Sequence, residues 1–350
     1  MTMKIGITSP RFHIGWNTDL KIQSFFLKPG ISDDLVFSYC GGLRYSSGLV
    51  FQKLLKKIGY DFPSISIRGN RLDSHRFFYC YGRIPSELYG RLLAGEAKAV
   101  LTTGVMTPHY MQSAGDSKPQ HAKIIDFDKN IPEHVPFHFH TNYGLNQFKA
   151  VSISGRPAYS VPFFLPALQS YCPSQSKTEM NIAFVGKDGT RKGLYVLLEA
   201  LKILPTSDLS QSKTKLIVVS ETKPYSIDGV EIEWIKQASP EKVRKILCKS
   251  QILAMPVRHE SYGIIFIEAM AAGCLVISDN DYPRHEIIGD AGKRLIDNSA
   301  EELASVLRIM LNDRDQIYFY RKKARERFMK FYSPEVVSRE YVRIFKSLQF

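Results

Sequence analysis

The sequence predicts an α/β protein with parallel sheets, divided into two domains, and three observations carry that reading. From residue 181 onward, apolar runs of strand length alternate with helix-length periodic segments, the pattern of a parallel sheet with crossover helices. The chain has 350 residues, against roughly 100 to 200 for an ordinary domain. Turn and linker residues cluster in YCPSQSKT, within 170–178, just before the first of those strands. The domains are therefore expected over 1–172 and 173–333, with a last helix over 334–350 that crosses back to the first domain.

In the second domain, 181–185 reads as a strand and 194–204 as a helix stopped by Pro205. Strands follow over 215–220 and 230–235, then a helix over 240–249 with Ser239 at its N-cap, and a strand over 252–256. A helix over 263–270, a strand over 275–278 and a helix over 300–311 complete a Rossmann-like unit. The first domain shows strands over 4–8, 35–38, 64–67 and 100–103, and a helix over 49–58 ended by Gly59. The stretch 132–171, rich in Pro, His, Phe and Tyr, has no sustained period.

Apolar residues make up 44% of the chain and charged residues 23%, which excludes extensive disorder and leaves enough apolar surface for a full core. The longest weakly polar stretch, 262–278, is interrupted by Glu268, so no bilayer-spanning helix is expected. The start, MTMKIGITSP, lacks the long apolar run of a secretory signal, and a cytoplasmic protein is expected. Cys40, Cys80, Cys172, Cys248 and Cys274 are scattered without a CxxC pair, so reduced thiols are expected, with neither zinc nor disulfides. The net charge of +13 suits nucleic acid, an anionic membrane or phosphate-bearing substrates. Without a zinc-finger spacing or an RNP-like aromatic string, nucleic acid is not expected.

Two segments carry the chemistry. In FVGKDGTRKG, Gly186, Gly189 and Gly193 lie between a strand and a helix, where backbone N–H groups can approach an anion that Lys187, Arg191 and Lys192 would neutralise. The loop is neither a Walker A motif nor a GxGxxG fingerprint. In HESYGIIFIEAMAAG, Glu260 ends a strand, Gly263 turns the chain, and Glu268 sits one turn into an apolar helix, where a carboxylate needs hydrogen-bond donors such as sugar hydroxyls. The amides of Gly263, Ile264 and Ile265, free at the helix start, would face a phosphate. Together these parts read as a site for a nucleotide diphosphate sugar at the C-terminal ends of parallel strands.

The two glutamates with seven residues between them, followed by DNDYPRHEIIGDAGKRLIDNSAEELASVLRIML, resemble the donor domain of retaining family-4 glycosyltransferases of the GT-B fold. VGKDGTRKG supports the resemblance, with Lys187 where the family usually has Arg. The resemblance covers about 179–312. It implies the GT-B architecture, two Rossmann-like domains facing across a cleft, and a metal-independent, retaining transfer of a glycosyl group from a nucleotide diphosphate sugar to a hydroxyl. It implies that Lys187 and Lys192 hold the diphosphate, that Glu260 lies at the transferred sugar, and that Glu268 lies at the ribose. Lys236 stands where a glycine usually borders the base. Two variants stay open: an epimerase acting on the nucleotide sugar, and a non-catalytic binder of a nucleotide sugar or a partner protein.

For the acceptor side, Gly41 and Gly42 supply either a loop facing the acceptor or a structural turn. His109, just past a strand, is the candidate catalytic histidine of the first half, whereas His138 and His140, alternating with Phe137 and Phe139, are expected to pack in a strand or loop. Asp126 and Asp128 match the metal motif of the other major glycosyltransferase fold and are read as a surface turn. The acceptor is expected to be a glycan, a lipid-linked molecule or a small molecule. The segment 314–330, where Arg321, Lys322, Lys323, Arg325 and Arg327 interleave with Tyr318, Phe319, Tyr320 and Phe328, fits either a solvated helix whose aromatics pack on its own domain or one resting on an anionic membrane.

Overall fold

The computed structural model describes residues 3–8, 35–39, 76–81, 86–102, 131–152, 154–163, 165, 180–257, 260 and 262–348. They fall into two compact units, one made of the described residues up to 165 together with 334–348, and the other of 180–333.

The first unit contains strands β1 (Met3–Thr8), β2 (Leu35–Tyr39), β3 (Phe77–Tyr81), β4 (Lys98–Thr102), β5 (Phe137–Phe139) and β6 (Ala158–Ser160), with helices α1 (Ser86–Leu93) and α2 (Asn142–Val151). All described pairings are parallel, in the order β2-β1-β3-β4-β5-β6. Phe78, Leu88, Leu92, Leu101, Phe137, Phe139 and Phe148 form its core. Helix α2 begins where Thr141 Oγ1 accepts from the Gly144 amide at 3.0 Å, satisfying one of the free N–H groups of the first turn. Arg156 is buried, donating to the carbonyls of Ile131, Pro132 and Val135 with its guanidinium over the Phe137 ring. The expected strand over 64–67 and helix over 49–58 lie outside the described residues.

The second unit contains β7 (Met180–Val185), α3 (Leu194–Ile203), α4 (Thr206–Gln211), β8 (Thr214–Val219), β9 (Glu231–Ile235), α5 (Pro240–Lys249), β10 (Ile252–Met255), α6 (Ile264–Ala271), β11 (Leu275–Asp279), α7 (Arg284–Ile288), β12 (Gly292–Leu295), α8 (Ala300–Asn312) and α9 (Arg314–Phe331). Its sheet is parallel in the order β12-β11-β10-β7-β8-β9. Strands β10 and β11 are buried at every position, as inner strands covered on both faces must be. At the edge, β9 is largely exposed, and its Glu231 and Glu233 both pair with Lys215 of β8. The capping signal read at Ser239 acts as expected, its Oγ accepting from Lys242 N at the start of α5, and the structure adds a second cap, Ser299 Oγ accepting from Glu302 N at the start of α8.

The chain then enters α10 (Pro334–Ser347), which belongs to the first unit. There the Tyr341 ring lies 5.3 Å from the His138 ring, and Lys98 Nζ donates to Leu348 O at 2.5 Å.

Two expectations change. Cys80 and Cys274 are buried free thiols, but Cys248 is disulfide-bonded, a pairing that scattered cysteines without a short spacing do not announce. Several basic residues of α9 turn inward. Arg321 Nε donates to Gly273 O at 2.7 Å, Arg325 to Ala271 O at 2.7 Å, and Arg327 to the carbonyls of Ile287 and Glu286. These three arginines satisfy the orphan carbonyls at the C-terminal ends of α6 and α7. Tyr318 and Phe319 remain exposed on α9, while Phe328 is buried. Among the described residues, no helix is long and apolar enough to cross a membrane.

Candidate functional site

In the second sheet the strands run outward from β7 through β8 to β9 on one side and through β10 and β11 to β12 on the other. The order reverses between β7 and β10, and a crevice for ligand forms outside the C-terminal ends of strands at such a point. The loops leaving these two strands carry the residues singled out by the sequence.

The loop after β7 is shaped by glycines in a way that differs from the expectation. Gly186 N–H donates to Val219 O, Gly189 N–H to Thr222 Oγ1, and Gly193 N–H to Thr190 O, so the glycine amides hold the loop together. What the glycines supply is space. A Cβ on Gly186 would lie 2.7 Å from Lys192 Cγ, so the bare backbone lets the lysine stem pass over it. Gly193 has φ +84°, and a Cβ there would meet Pro256 O at 2.0 Å, so the start of α3 can pack on the end of β10 only with glycine.

Lys192 is consequently buried, and its ammonium contacts Glu260 Oε2. Burial, followed by the charges of Arg191 and Arg284, pulls the Lys192 ammonium down to about 7, while Asp188 and Asp279 act in the opposite direction. Gly263, at φ +88°, caps the start of α6, and a Cβ on it would lie 2.4 Å from Phe266 Cδ2 and 3.5 Å from Glu260 Cγ. The Glu260 side chain thus sits beside the N-terminus of α6, whose first amides, including those of Ile264 and Ile265, have no carbonyl within the helix. Glu268 is half-buried on α6.

The other candidates do not join this contact. Lys187 is exposed and pairs with Glu221 at 3.6 Å, and the exposed Arg191 pairs with Asp188 at 3.8 Å. Lys236 is exposed just past β9, following Trp234, whose indole N–H donates to Ser220 O. His109, Gly41, Gly42, Asp126 and Asp128 lie outside the described residues. His138 and His140 are buried in the first unit and hydrogen-bonded to Val161 O, in keeping with a packing role.

One pair escaped the sequence reading. Arg284, 1% exposed, grips the Asp279 carboxylate with Nε at 2.6 Å and Nη2 at 2.5 Å, and donates from Nη1 to Glu260 O at 2.9 Å. The signal available was an aspartate closing an apolar strand with an arginine five residues on. A cavity of about 530 Å³, lined in part by Val257, Asp279 and Asn298, opens at the ends of β10 to β12.

A parallel sheet with this strand order, carrying a lysine-carboxylate contact at its reversal point and a helix N-terminus beside it, defines an α/β protein of the Rossmann-like kind. Residues 173–330 match the family model described as Glycosyl transferases group 1. The chain has the GT-B fold of its structural neighbours.

Two relatives resemble about half of the chain. One is an uncharacterized 41.2 kDa protein in the cps region of Klebsiella pneumoniae, 30% identical over 176 residues (49% of this chain, 47% of the relative). The other is a phosphatidyl-myo-inositol mannosyltransferase of Mycolicibacterium smegmatis, 28% identical over 193 residues (52% and 48%). The chain thus spans about half the length of the curated relatives it matches. Among solved structures, Anabaena HepE in complex with UDP aligns with TM-score 0.67 at 12% identity, covering 99% of this chain and 100% of that one. Sucrose-phosphate synthase from Thermosynechococcus elongatus aligns with TM-score 0.65 at 15% identity, covering 99% of both.

Proposed function

We propose that the protein transfers a glycosyl group from a nucleotide diphosphate sugar to a hydroxyl of a glycan, lipid-linked or small-molecule acceptor, with retention of anomeric configuration. The observation that carries this reading is the contact of Lys192 with Glu260, which joins the two loops flanking the reversal point of the donor-side sheet. In the proposed reaction the diphosphate binds between Lys192 and the N-terminus of α6, with Glu260 at the transferred sugar and Glu268 at the ribose. Positive charge from Lys192 and the first amides of α6 stabilises the leaving diphosphate, and the reaction proceeds without a metal. The bond from the anomeric carbon to the phosphate oxygen breaks as the bond to the acceptor oxygen forms on the same face. The departing phosphate takes the acceptor proton.

UDP and UDP-glucose are the first probes, because the HepE structures contain them. Residues 173–330 of this chain carry the family match. The protein is proposed to act in the cytoplasm. Peripheral contact with an anionic membrane would rest on Tyr318, Phe319, Lys322 and Lys330 of α9, which are exposed. It would fade with added salt, which co-sedimentation with anionic vesicles measures.

A panel of nucleotide sugars screened by thermal shift identifies the donor, and turnover of that donor tests the reaction. Transfer to an added acceptor with the anomer retained supports the proposal. Release of a free epimer without acceptor replaces it with epimerisation, and binding without any turnover replaces it with a non-catalytic role.

A further inference from the structure

We propose that Arg284 is a positioning residue that sets the orientation of Glu260, an inference that rests on the transfer reading above for Glu260's role at the sugar.

The guanidinium has three engaged arms. Two form the fork on Asp279, and the third donates to the Glu260 carbonyl. Asp279 closes β11, an inner strand, and accepts from Ser278 Oγ at 3.0 Å and from the Asp281 amide at 3.3 Å. Arg284 opens α7, whose last carbonyls are held in turn by Arg327. The Glu260 backbone is therefore tied to a frame fixed at both ends, while its carboxylate meets Lys192 from the neighbouring loop.

Stability alone is a poor account of this arrangement. Burying an ion pair costs desolvation that its attraction rarely exceeds, and an apolar pair of similar volume commonly does as well. An apolar pair would lack the third arm. Lysine cannot replace it either, because a single ammonium has no planar fork with a spare donor at a fixed angle.

The test compares Arg284→Lys, which keeps the charge facing Asp279, with the double variant Asp279→Asn/Arg284→Gln, which leaves no lone buried charge if the lysine variant folds poorly. In the transfer assay, either change is expected to lower kcat by about 10- to 100-fold, while UDP affinity, read at about pH 5.5 where Lys192 is charged, stays within about twofold. In a Glu260→Gln background the same change is expected to cost less than about threefold, because its target is already gone. An equal factor in both backgrounds overturns the proposal, since a merely structural role multiplies through.

A second readout does not depend on turnover. The titration of Lys192, followed by NMR after reductive methylation, is expected to move down in Glu260→Gln because a carboxylate partner is lost, and to move down likewise in Arg284→Lys. A Lys192 titration unchanged by Arg284→Lys overturns the positioning role whatever the activity. A shift in both variants with no nucleotide sugar turned over retains the positioning role and removes the transfer reading.

Discussion

A buried histidine pair in the first unit and two buried ion-pair contacts in the second are built in opposite ways. In the first, His138 and His140 are buried and neutral: burial lowers the His138 imidazole to about 4, and burial, followed by the repulsion the two rings would feel if both were protonated, holds His140 well below its ordinary value. Both rings approach Val161 O, so His138 Nε2–H and His140 Nδ1–H donate to it, leaving His140 Nε2 to accept from the Thr102 hydroxyl at 3.4 Å. In the second unit two buried basic side chains each meet a carboxylate, Arg284 at Asp279 and Lys192 at Glu260. A neutral pair completes a core, and its hydrogen bonds close on the protein itself. Buried charge at the ends of parallel strands retains donors and acceptors that a ligand can exchange for its own.

The largest way to separate the two regions is Arg284→Ala. It leaves the Asp279 carboxylate buried without its partner, and a loss of about 3 to 5 kcal/mol in urea unfolding is expected. A loss below 1 kcal/mol would mean that water reaches Asp279 and that the contrast with the first unit is false.

Acid should act on the first unit. His138 titrates lower in the folded chain than in the unfolded one, so its contribution is fully present above the ordinary value of 6.5 and is lost as the pH falls toward 4. The loss is on the order of 3 kcal/mol across that window. Stability that stays flat from pH 7 to 4.5, followed by urea unfolding, contradicts the neutral pair.

Ligand binding probes the second unit. Lys192→Ala should weaken UDP by about 1.5 to 3 kcal/mol, the range for hydrogen bonds to charged groups. In the native protein, UDP affinity should hold below about pH 7 and decline as the pH rises above it, because a bound diphosphate needs the charged form of a lysine that burial has lowered to about 7. Titration calorimetry reads both effects, and affinity rising with pH would exclude Lys192 as the phosphate partner.

The smallest effect is expected at Lys187. Exposed and paired with Glu221 across 3.6 Å, it should contribute less than about 1 kcal/mol to UDP binding, although the sequence ranks it beside Lys192. An equal loss at both lysines would show that the loop closes on the ligand.

Much of the second unit was legible because its strands are apolar runs with clear punctuation. Ser239 and Pro205 mark helix limits in the sequence and stand at helix limits in the structure. The first unit was harder to read. The run FFYCY of β3 does not alternate, and β5 has three residues, so neither presents a period. Helix α2 announces itself only through Thr141, inside a stretch dominated by aromatics and histidines. Both small elements α7 and β12 fall below the length at which periodicity can be recognised.

By itself the sequence determined the parallel α/β pattern of the second half, the two motif segments, and the kinds of residue available for phosphate and sugar. Local patterning suffices there, because strand, turn and cap preferences act within a few residues. Only the tertiary structure decided that Lys192 rather than Lys187 meets Glu260, that the glycines make room instead of presenting amides, that Arg321, Arg325 and Arg327 cap helices, and that Arg284 reaches across 24 residues to the Glu260 carbonyl. Those outcomes depend on which loops the sheet order brings side by side and on which charges that packing removes from water, and neither is a property of any short stretch of chain.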